Sequence, residues 1–535
     1  MIWHGWGDPR QRPGLSPRAE AYLVSQIGPL ARSTPPVDLA AVRVGQTQLS
    51  SQAHALIADI VGPDGVLQDH LTRVQHAGGK SYPDLLRRRQ GDATAAPDAV
   101  VFPQTHAQVM RVLQLASDQR IAVVPFGGGT SVVGGVEPER GPFTALISLD
   151  LSLMNHLVGL DEESLVATFE PGMTGAAAEV ELRRRGYSLG HFPQSYAYAS
   201  IGGYVATRSA GQASTGHGRI DQKLLGVRVA TPSGDLRLGR SPATAAGPDL
   251  RQVILGSEGT LGVITEATLA VHHAPEIEVY EAYAVPSFET GAAILRELAQ
   301  ANLAPDVCRL SDESETQVFV QQSEGLKGFA FRNYLRLRGY EAGSLMILGW
   351  DGPREQVGLR RSVVRKVLAD HQTLRLGTRP GDAWAHSRFD GAYLRDDLMD
   401  RGILIETLET ATTWSNYRNL YTNVRAGLAE SLADRGTPAL IMCHISHLYA
   451  TGCSLYYTWI ARQHPGHELQ QWRDAKTVAS QAIMDAGGTI THHHAVGIDH
   501  RPYLRAEIGD AGMALLQAMK DTTDPVGILN PGKLL

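Results

Sequence analysis

A buried strand that runs directly into three consecutive glycines is the feature that most restricts how this sequence can fold. The apolar run 121–125 has the length and composition of a buried strand, and Gly127, Gly128 and Gly129 follow it. Because glycine lacks a Cβ atom, the backbone N–H groups of such a loop can converge on a phosphate. The P-loop lysine is absent, and no GxGxxG spacing is clearly set before a helix. Taken alone, the loop leaves open both a dinucleotide site and an ordinary glycine-rich turn.

Three further loops of small residues follow in the same part of the chain. They occupy 193–203, 206–211 and 256–265, and each alone is a weak signal. A strand near 97–103, a helix at 105–119 and the strand 121–125 precede the glycines, which indicates an α/β unit. Further strands are predicted at 145–149, 165–170, 224–231 and 261–271. The order of the four loops within one α/β region is what makes them informative.

The length of the chain requires more than one domain. With 535 residues it exceeds the roughly 250–300 residues that one hydrophobic core can serve. We predict four parts: a mainly helical N-terminal segment at 1–92, a cofactor-binding domain at 93–273, a second α+β domain at 274–485 and a C-terminal segment at 486–535. In the second domain we expect strands near 278–284 and 344–350 and helices at 287–301 and 355–369. The adjacent arginines 87–89 are interpreted as a solvated helix face.

Composition excludes several classes of protein. The net charge is −6 and no long basic run occurs, so a nucleic-acid partner is not expected. Three cysteines without a CxxC pair indicate neither a disulfide framework nor a zinc site. The first nine residues lack a charged lead followed by an apolar stretch, and no apolar run is long enough to span a bilayer. We therefore expect a cytoplasmic protein.

Three consecutive histidines, His492, His493 and His494, follow a Gly-Gly turn near the end of the chain. Their internal position argues against a tag. Adjacent residues of an extended segment point to opposite faces, so three could not easily bind one metal ion, and no metal is predicted. We interpret them as proton donors and acceptors gathered near a site.

The four loops together resemble the FAD-binding domain of the vanillyl-alcohol oxidase superfamily. The resemblance implies an α+β protein, with a two-subdomain FAD-binding domain and an α+β cap domain built on an antiparallel sheet. Because no histidine lies in 125–135, where some relatives attach the flavin, we expect FAD to be non-covalent. The cofactor-binding residues that the resemblance implies are Pro125, Phe126, Gly127, Gly128, Gly129, Thr130, Ser131, Gln194, Ser195, Tyr196, Ala197, Tyr198, Ala199, Ser200, Thr207, Arg208, Ser209, Ala210, Glu258, Gly259, Thr260, Leu261, Gly262, Val263 and Ile264.

The triple histidine narrows the resemblance to the alkyldihydroxyacetonephosphate synthase family, along nearly the whole chain. The segment 306–314 resembles one whose arginine, Arg309, matters for activity, and 392–414 one whose arginine, Arg395, binds substrate. The segment 452–459 resembles the strand bearing the catalytic tyrosine. That tyrosine falls on Tyr456, although Tyr457 is adjacent. His444 stands where an arginine is expected, so an always-charged group is replaced by a titratable ring in the predicted substrate site.

This resemblance implies ether-lipid synthesis through a flavin N5 adduct. The acyl group of acyl-dihydroxyacetone phosphate would be exchanged for a fatty alcohol without net redox. Arg395 would hold the phosphate. Tyr456 would remove a substrate proton if neighbouring cations lower its pKa, His492, His493 and His494 would manage protons, and Arg309 would stabilise negative charge. A homodimer and a peripheral membrane contact are also expected. Two alternatives stay open: a FAD-dependent dehydrogenase or oxidase of a 2-hydroxy acid, and a flavin-binding protein without catalysis.

Overall fold

The computed structural model describes residues 2–12, 14–30, 33–323 and 325–535. The helices are α1 Pro17–Ile27, α2 Ser51–Val61, α3 His70–Gln75, α4 Tyr82–Arg89, α5 His106–Gln119, α6 Gly175–Arg183, α7 Ile201–Thr207, α8 Ser214–His217, α9 Ile220–Lys223, α10 Arg251–Ile254, α11 Phe288–Gln300, α12 Glu313–Gln322, α13 Gly325–Leu337, α14 Arg354–Ala369, α15 Thr378–Ser387, α16 Gly391–Asp400, α17 Tyr417–Ala433, α18 Glu468–Asp485 and α19 Arg501–Thr523. The strands are β1 Arg43–Val44, β2 Val66–Leu67, β3 Asp92–Ala93, β4 Ala99–Val101, β5 Ile121–Phe126, β6 Ala145–Asp150, β7 Leu157–Asp161, β8 Val166–Phe169, β9 Tyr187–Ser188, β10 Leu224–Thr231, β11 Gly234–Leu238, β12 Val263–Ala270, β13 His272–His273, β14 Ile277–Val285, β15 Val307–Ser311, β16 Ser344–Gly352, β17 Leu374–Gly377, β18 Ile403–Thr413, β19 Ala439–Ile445 and β20 Gly452–Arg462.

The first half of the chain builds two separate sheets. One has four strands in the order β2-β4-β6-β5, and its strands β4, β6 and β5 are parallel. Parallel strands are normally buried on both faces, and β6 and all of β5 except Pro125 are buried here. The other sheet has five strands in the order β11-β10-β12-β8-β7. These sheets form the two subdomains expected of the first large domain, and β5 delivers the chain into the glycine loop.

The second half builds one antiparallel sheet of seven strands, the cap sheet, in the order β17-β14-β16-β15-β19-β20-β18. One face packs against α11, α14, α17 and α18 in the largest hydrophobic core. Residues alternate between the two faces along each strand, so the polar residues of these strands collect on the opposite face. The α+β fold class and the antiparallel cap are as predicted.

The strands and helices predicted within both large domains are present within a few residues of their expected bounds. The interpretation of the adjacent arginines as a solvated face is wrong. Arg88 is 1% exposed and donates to the carbonyl oxygens of Gly78 and Gly79, while Arg89 is ion-paired with Asp400. Helix α4 lies between the two halves of the molecule, where carbonyl and carboxylate oxygens are available as buried acceptors.

The end of the chain returns to the first subdomain. Leu529 forms a parallel bridge with Val123 of β5, and the Asn530 side chain donates to the carbonyl oxygens of Gly135 and Glu258. None of the described helices is both long and apolar enough to cross a membrane.

A buried carboxylate on the edge half of the cap sheet is a stability determinant. Glu281 of β14 is fully buried and accepts hydrogen bonds from Tyr283 (2.7 Å) and Arg361 (2.6 Å), while Arg365 and Arg375 also contact it. Burial raises the pKa of Glu281, but the Arg365 guanidinium, the Tyr283 hydroxyl and the other arginines outweigh it and hold this pKa well below its usual range.

We therefore predict that Glu281→Gln lowers the free energy of unfolding at pH 7 by about 1–3 kcal/mol, because three guanidinium groups lose their partner. The folded pKa is depressed, so this contribution is full above the unfolded pKa, near ~4.3, and is lost as the pH falls through the folded value. Thermal unfolding at several pH values measures the effect, and the exposed Glu355→Gln is the control. A difference from the wild type that is absent at pH 7, or that grows on acidification, would contradict this assignment.

Candidate active site

Four neighbouring strands of the cap sheet place polar side chains in one row. Glu409 of β18 lies directly opposite Tyr456 of β20, and Tyr456 lies directly opposite His444 of β19. His444 in turn lies opposite Ser311 of β15, and Arg309 is two residues from Ser311, so it shares this face. Residues in direct cross-strand register point to the same side of a sheet. The sheet register therefore brings together Tyr456, His444 and Arg309, which the sequence predicts as site residues.

The two adjacent tyrosines point to opposite faces. The ring of Tyr456 stacks on His444 at 4.8 Å between centroids and lies 6.1 Å from His493 and 5.5 Å from His494. Tyr457 is fully buried in the hydrophobic core and donates its hydroxyl to the carbonyl oxygen of Leu420. Tyr456 is thus the tyrosine that faces the histidines, whereas Tyr457 faces the hydrophobic core.

Tyr456 does not have the lowered pKa that proton removal by this side chain would require. Its burial raises the pKa to about 12, and the charge of Arg309 opposes this only weakly. The side chain is therefore a neutral phenol at neutral pH and is better suited to donating a hydrogen bond than to removing a proton.

Arg309, His444 and Glu315 form one charged group beside Tyr456. The Arg309 guanidinium donates to Glu315 at 2.9 Å, and His444 Nδ1 lies 3.0 Å from the same carboxylate oxygen. Burial lowers the pKa of His444, and the positive charge of Arg309 lowers it further. A neutral ring therefore stands where an arginine was expected, and Arg309 is the permanent cation of this group.

The histidine triplet is held by one carboxylate. Glu409, which is 1% exposed, accepts hydrogen bonds from the backbone N–H groups of His492 (2.6 Å), His493 (2.9 Å) and His494 (2.7 Å). The Thr491 hydroxyl donates to it as well, at 2.6 Å. Burial alone would raise the pKa of Glu409, but the hydrogen bonds that it accepts from the histidine segment and from this hydroxyl hold it well below its usual range. The loop is thereby fixed against the row of polar residues on the cap sheet.

The histidine side chains are buried and neutral. Burial lowers the pKa of His493 to about 3 and that of His494 to about 4. His492 Nδ1 lies 2.9 Å from His493 Nδ1, and His492 Nε2 lies 2.6 Å from the Tyr449 hydroxyl. The expectation that adjacent histidines point to opposite faces is wrong here, because the backbone bends at His492, His493 and His494 and is not an extended strand.

A fourth histidine joins the triplet. The ring of His447 lies 4.9 Å from His492 and 5.3 Å from His493, and nitrogen atoms of these three residues come within 4.8 Å of one another. Its own Nε2 contacts the carbonyl oxygen of Gly211 at 3.1 Å. Outside this group, Tyr449, whose hydroxyl contacts His492, lines an open cavity of about 620 Å³.

The glycine loop fits a phosphate-binding role. Among the described residues, none accepts a hydrogen bond from the backbone N–H groups of Gly128, Gly129 or Thr130. A Cβ atom on Gly128 would lie 2.0 Å from the carbonyl oxygen of Tyr198, and Gly129 has φ +62°. Glycine is therefore required here by the neighbouring backbone and by the turn itself, and the free N–H groups suit the phosphates of FAD.

Of the other loops that the sequence predicted, some residues contact the glycine loop and others pack elsewhere. The backbone of Tyr198 and Ala199 packs on Gly128, while the Tyr198 hydroxyl lies 3.3 Å from that of Tyr393. Arg208 has φ +52° and donates to Gln252 at 2.8 Å, so its side chain is engaged within its own subdomain. The apolar members Leu261, Val263 and Ile264 pack into the hydrophobic cores.

Glu258 joins the glycine-rich loops to the histidines. Its buried carboxylate accepts hydrogen bonds from the backbone N–H groups of Val496 and Gly497, each at 2.8 Å. Burial raises its pKa to about 7 despite these hydrogen bonds. Gly497 leads directly into Ile498, whose N–H donates to Val133 beyond the glycine loop. The triplet and the predicted flavin loops therefore belong to one site.

Arg395 lies on α16 beside the glycine loop. Its Nη1 donates to the carbonyl oxygen of Lys80, whose own N–H donates to Ser131 at 2.6 Å. The Nε and Nη2 atoms of Arg395 are buried and have no hydrogen-bond partner among the described residues. An unpaired buried guanidinium is costly unless an anion completes it, so this side chain has the properties of a ligand-binding group.

Sequence reasoning missed Glu409, Glu315, Lys80 and His447. Glu409 lies in the apolar strand 403–413, and a carboxylate in such a strand was the available signal. Glu315 and His447 lie close in sequence to residues that were singled out, and Lys80 follows a Gly-Gly turn. None of them could be assigned a partner without knowledge of the strand register.

Comparisons with known proteins agree with this geometry. Residues 97–239 match the FAD binding domain family, and residues 274–534 match the C-terminal domain of FAD linked oxidases. The chain is 33% identical to the alkyldihydroxyacetonephosphate synthase of Dictyostelium discoideum, over 88% of this chain and 79% of that protein. It is 34% identical to the synthase of Trypanosoma brucei brucei, over 90% and 80%. A solved structure of an alkyldihydroxyacetonephosphate synthase superposes with a TM-score of 0.85 at 29% identity, covering 99% of this chain and 98% of that one.

These matches cover both large domains, and FAD is the cofactor that they share. The protein is therefore an FAD-dependent enzyme. The chain belongs to the alkyldihydroxyacetonephosphate synthase family.

Proposed function

We propose that this enzyme exchanges the acyl group of acyl-dihydroxyacetone phosphate for a fatty alcohol and so forms an ether bond, with no net redox. The observation that carries the proposal is the packing of the histidine triplet against Tyr456, on the face of the cap sheet that also bears Arg309. Neutral proton acceptors, a phenolic donor and a fixed cation on one side of the sheet support the exchange of a carboxylate for an alcohol.

FAD would be held by the free backbone N–H groups of Gly128, Gly129 and Thr130. We also propose that it is bound without a covalent link, because the residues 125–135 contain no histidine. When bound, the flavin supplies an electron-rich ring that can hold the substrate carbon while its substituent is exchanged. The cytoplasmic location, which we predicted from the sequence itself, and the homodimer, which we expected alongside the resemblance, stay predictions.

The phosphate of the substrate would be bound by Arg395. Its Nε and Nη2 atoms are free to form a bidentate, charge-assisted pair. Lys80 and Arg88 are two further basic groups near Arg395. Burial lowers the pKa of Lys80, and the positive charges of Arg88 and Arg395 lower it further. A dianionic phosphate would offset the mutual repulsion of these three groups.

Protons would be handled by neutral histidines. His493 and His494 have pKa values of about 3 and about 4, because they are buried, and therefore remain unprotonated proton acceptors at neutral pH. We assign proton removal to this pair, and to Tyr456 a hydrogen bond from its hydroxyl to the substrate oxygen. Arg309 would then stabilise the departing carboxylate. Tyr449, between His492 and the open cavity, would exchange protons with solvent.

The exchange reaction distinguishes this proposal from both alternatives. We expect acyl-dihydroxyacetone phosphate and a fatty alcohol to give the ether product and free fatty acid without an external electron acceptor. The same preparation, precipitated with acid, should release its flavin into the supernatant. Acceptor-dependent oxidation of a 2-hydroxy acid without exchange would replace the proposal with the dehydrogenase. Flavin binding without turnover of either substrate would leave a non-catalytic flavoprotein.

The adjacent tyrosines give a matched pair of variants. Tyr456→Phe should lower turnover at least about a hundredfold, the usual range for losing a hydrogen-bond donor that stabilises developing charge in the transition state, with FAD content unchanged. Tyr457→Phe removes only a hydroxyl hydrogen bond to Leu420 in the core, so its turnover should stay near that of the wild type. Equal effects of the two changes on turnover would contradict the assignment of Tyr456.

The role of Arg395 can be separated from flavin binding. Arg395→Lys should raise the KM for the phosphorylated substrate by about tenfold or more, because a lysine cannot form the bidentate pair. The flavin absorption spectrum should not change. Arg401→Lys is a suitable control, since Arg401 follows the same helix and pairs with Glu20 and Asp397. An unchanged KM in Arg395→Lys would remove phosphate binding from this residue.

A further inference from the structure

The segment 2–8, here called the strap, is folded into the molecule. Gly5, Trp6 and Gly7 are buried, and Trp6 is only 4% exposed. The Trp6 ring lies 5.9 Å from the ring of Tyr198, in a loop whose backbone packs on the glycine loop. The strap is therefore packed against one of the loops that the sequence predicts at the flavin.

Two basic side chains hold the strap by its backbone. The buried Nζ atom of Lys80 donates to the carbonyl oxygens of Ile2 and Gly5, each at 2.7 Å. The Arg89 guanidinium donates to the carbonyl oxygen of His4 at 3.2 Å. Because a buried polar group without partners is destabilising, these carbonyl oxygens stabilise Lys80 where it lies, and Lys80 in turn fixes the strap.

Helix α16 holds the strap from the other side. The Trp6 N–H donates to the carboxylate of Asp396 at 2.8 Å, and Asp396 is fully buried. One helical turn further along, Asp400 pairs with Arg12, just beyond the strap, at 3.1 Å. Residues four positions apart share one face of a helix. The strap and the residues after it therefore fix this face of α16.

Two glycines of the strap are required by this packing. A Cβ atom on Gly5 would lie 2.4 Å from Oδ2 of Asp396, and one on Gly7 would lie 2.4 Å from the Tyr198 hydroxyl. Real Cβ atoms essentially never approach another heavy atom within 3.0 Å. A side chain at either position would therefore separate the strap from its partners.

The contacts of the strap flank the arginine to which we assign the phosphate. Arg395 directly precedes Asp396 in α16, and its Nη1 donates to the carbonyl oxygen of Lys80. The strap is thus bonded to the residue next to Arg395 and to the residue whose carbonyl oxygen orients it. The Nε and Nη2 atoms of Arg395 have no partner in the described part of the chain. A bidentate pair with a phosphate needs a guanidinium of fixed direction, because its two N–H···O bonds are parallel.

We propose that the strap is part of the substrate site and positions Arg395 for the phosphate group. Lys80 and Asp396 are the positioning residues through which it acts. The inference rests on the proposed function, which assigns the phosphate to Arg395. When the strap is displaced, Arg395 keeps its charge but loses its fixed direction. A phosphorylated headgroup should then bind more weakly, while the flavin stays bound.

Calorimetry with dihydroxyacetone phosphate tests this proposal without catalysis. The flavin-loaded enzyme should bind this probe, and Gly5→Ala should weaken binding about tenfold, because the strap or the Asp396 carboxylate must move and their hydrogen bond is lost. The flavin content should not change. Gly358→Ala adds the same atom where nothing lies within 4 Å, so its affinity should equal that of the wild type. Equal affinity of Gly5→Ala and the wild type would overturn the proposal.

Hydrogen exchange of the wild type tests the same coupling without a substitution. Coupling between two sites is reciprocal, so a phosphate bound at Arg395 should slow exchange of the Trp6 N–H. Dihydroxyacetone, which lacks the phosphate, should leave this exchange unchanged. If dihydroxyacetone phosphate also fails to slow exchange in the segment 2–12, the strap is only a structural contact and the proposal is wrong.

A conservative replacement of Asp396 distinguishes its positioning role from a general loss of structure. Asp396→Asn keeps a carbonyl oxygen that can accept from the Trp6 N–H, so it should bind the probe nearly as well as the wild type. Asp396→Leu removes the acceptor and should bind as weakly as Gly5→Ala. Equal affinities of the Asn and Leu variants would contradict the role of this hydrogen bond.

Catalysis then separates the inference from the proposed function. An enzyme that passes the binding and exchange tests but exchanges no acyl group would keep the role of the strap and lose the proposed function. Where acyl exchange does occur, Gly5→Ala should raise the KM for acyl-dihydroxyacetone phosphate and leave kcat near that of the wild type. A lower kcat at unchanged KM would remove the strap from phosphate binding.

Discussion

The carboxylate of Glu409 is the contact on which the arrangement of the candidate site depends. It is almost fully buried and accepts three consecutive backbone N–H groups and one hydroxyl. Buried carboxylates require such partners, because an unpaired one would be strongly destabilising. The same requirement fixes the loop, since no other acceptor in the described part of the chain is hydrogen-bonded to those three N–H groups. A strand of the cap sheet thus sets the position of histidines that lie more than eighty residues further along the chain.

The burial that organises these side chains also sets their chemistry. Burial lowers the pKa of the histidines and raises that of Tyr456, so the site contains neutral bases and a neutral acid. Arg309 and Arg395 supply the positive charge. His493, His494 and Tyr456 therefore keep their protonation states over a wide range around neutral pH, whereas Glu258 titrates near pH 7. The replacement of an expected arginine by His444 leaves the charge beside Tyr456 intact, because Arg309 is adjacent.

Much of the fold could be predicted from the sequence, because its signals are local. The strand leading into Gly127, the cap strands and most helix bounds follow from apolar runs and periodicity. Arg88 was misjudged, because composition alone cannot show that a helix lies between two domains. Glu409 was missed for a related reason: its partners depend on strand register and on a loop far along the chain. The condition set for proton removal by Tyr456, a pKa lowered by neighbouring cations, is not met, since burial dominates this pKa and raises it.

The side chain of Asn530 joins the carbonyl oxygens of Gly135 and Glu258, and the neighbouring Leu529 bridges to Val123 in the strand before the glycine loop. Asn530 is made 395 residues after Gly135. During synthesis the glycine loop therefore lacks these supporting contacts until both domains have left the ribosome. Contacts of such separation form late in folding, because a long loop must first be closed. The flavin would consequently be captured after translation has passed Asn530, by a nearly complete molecule and not by the nascent first domain.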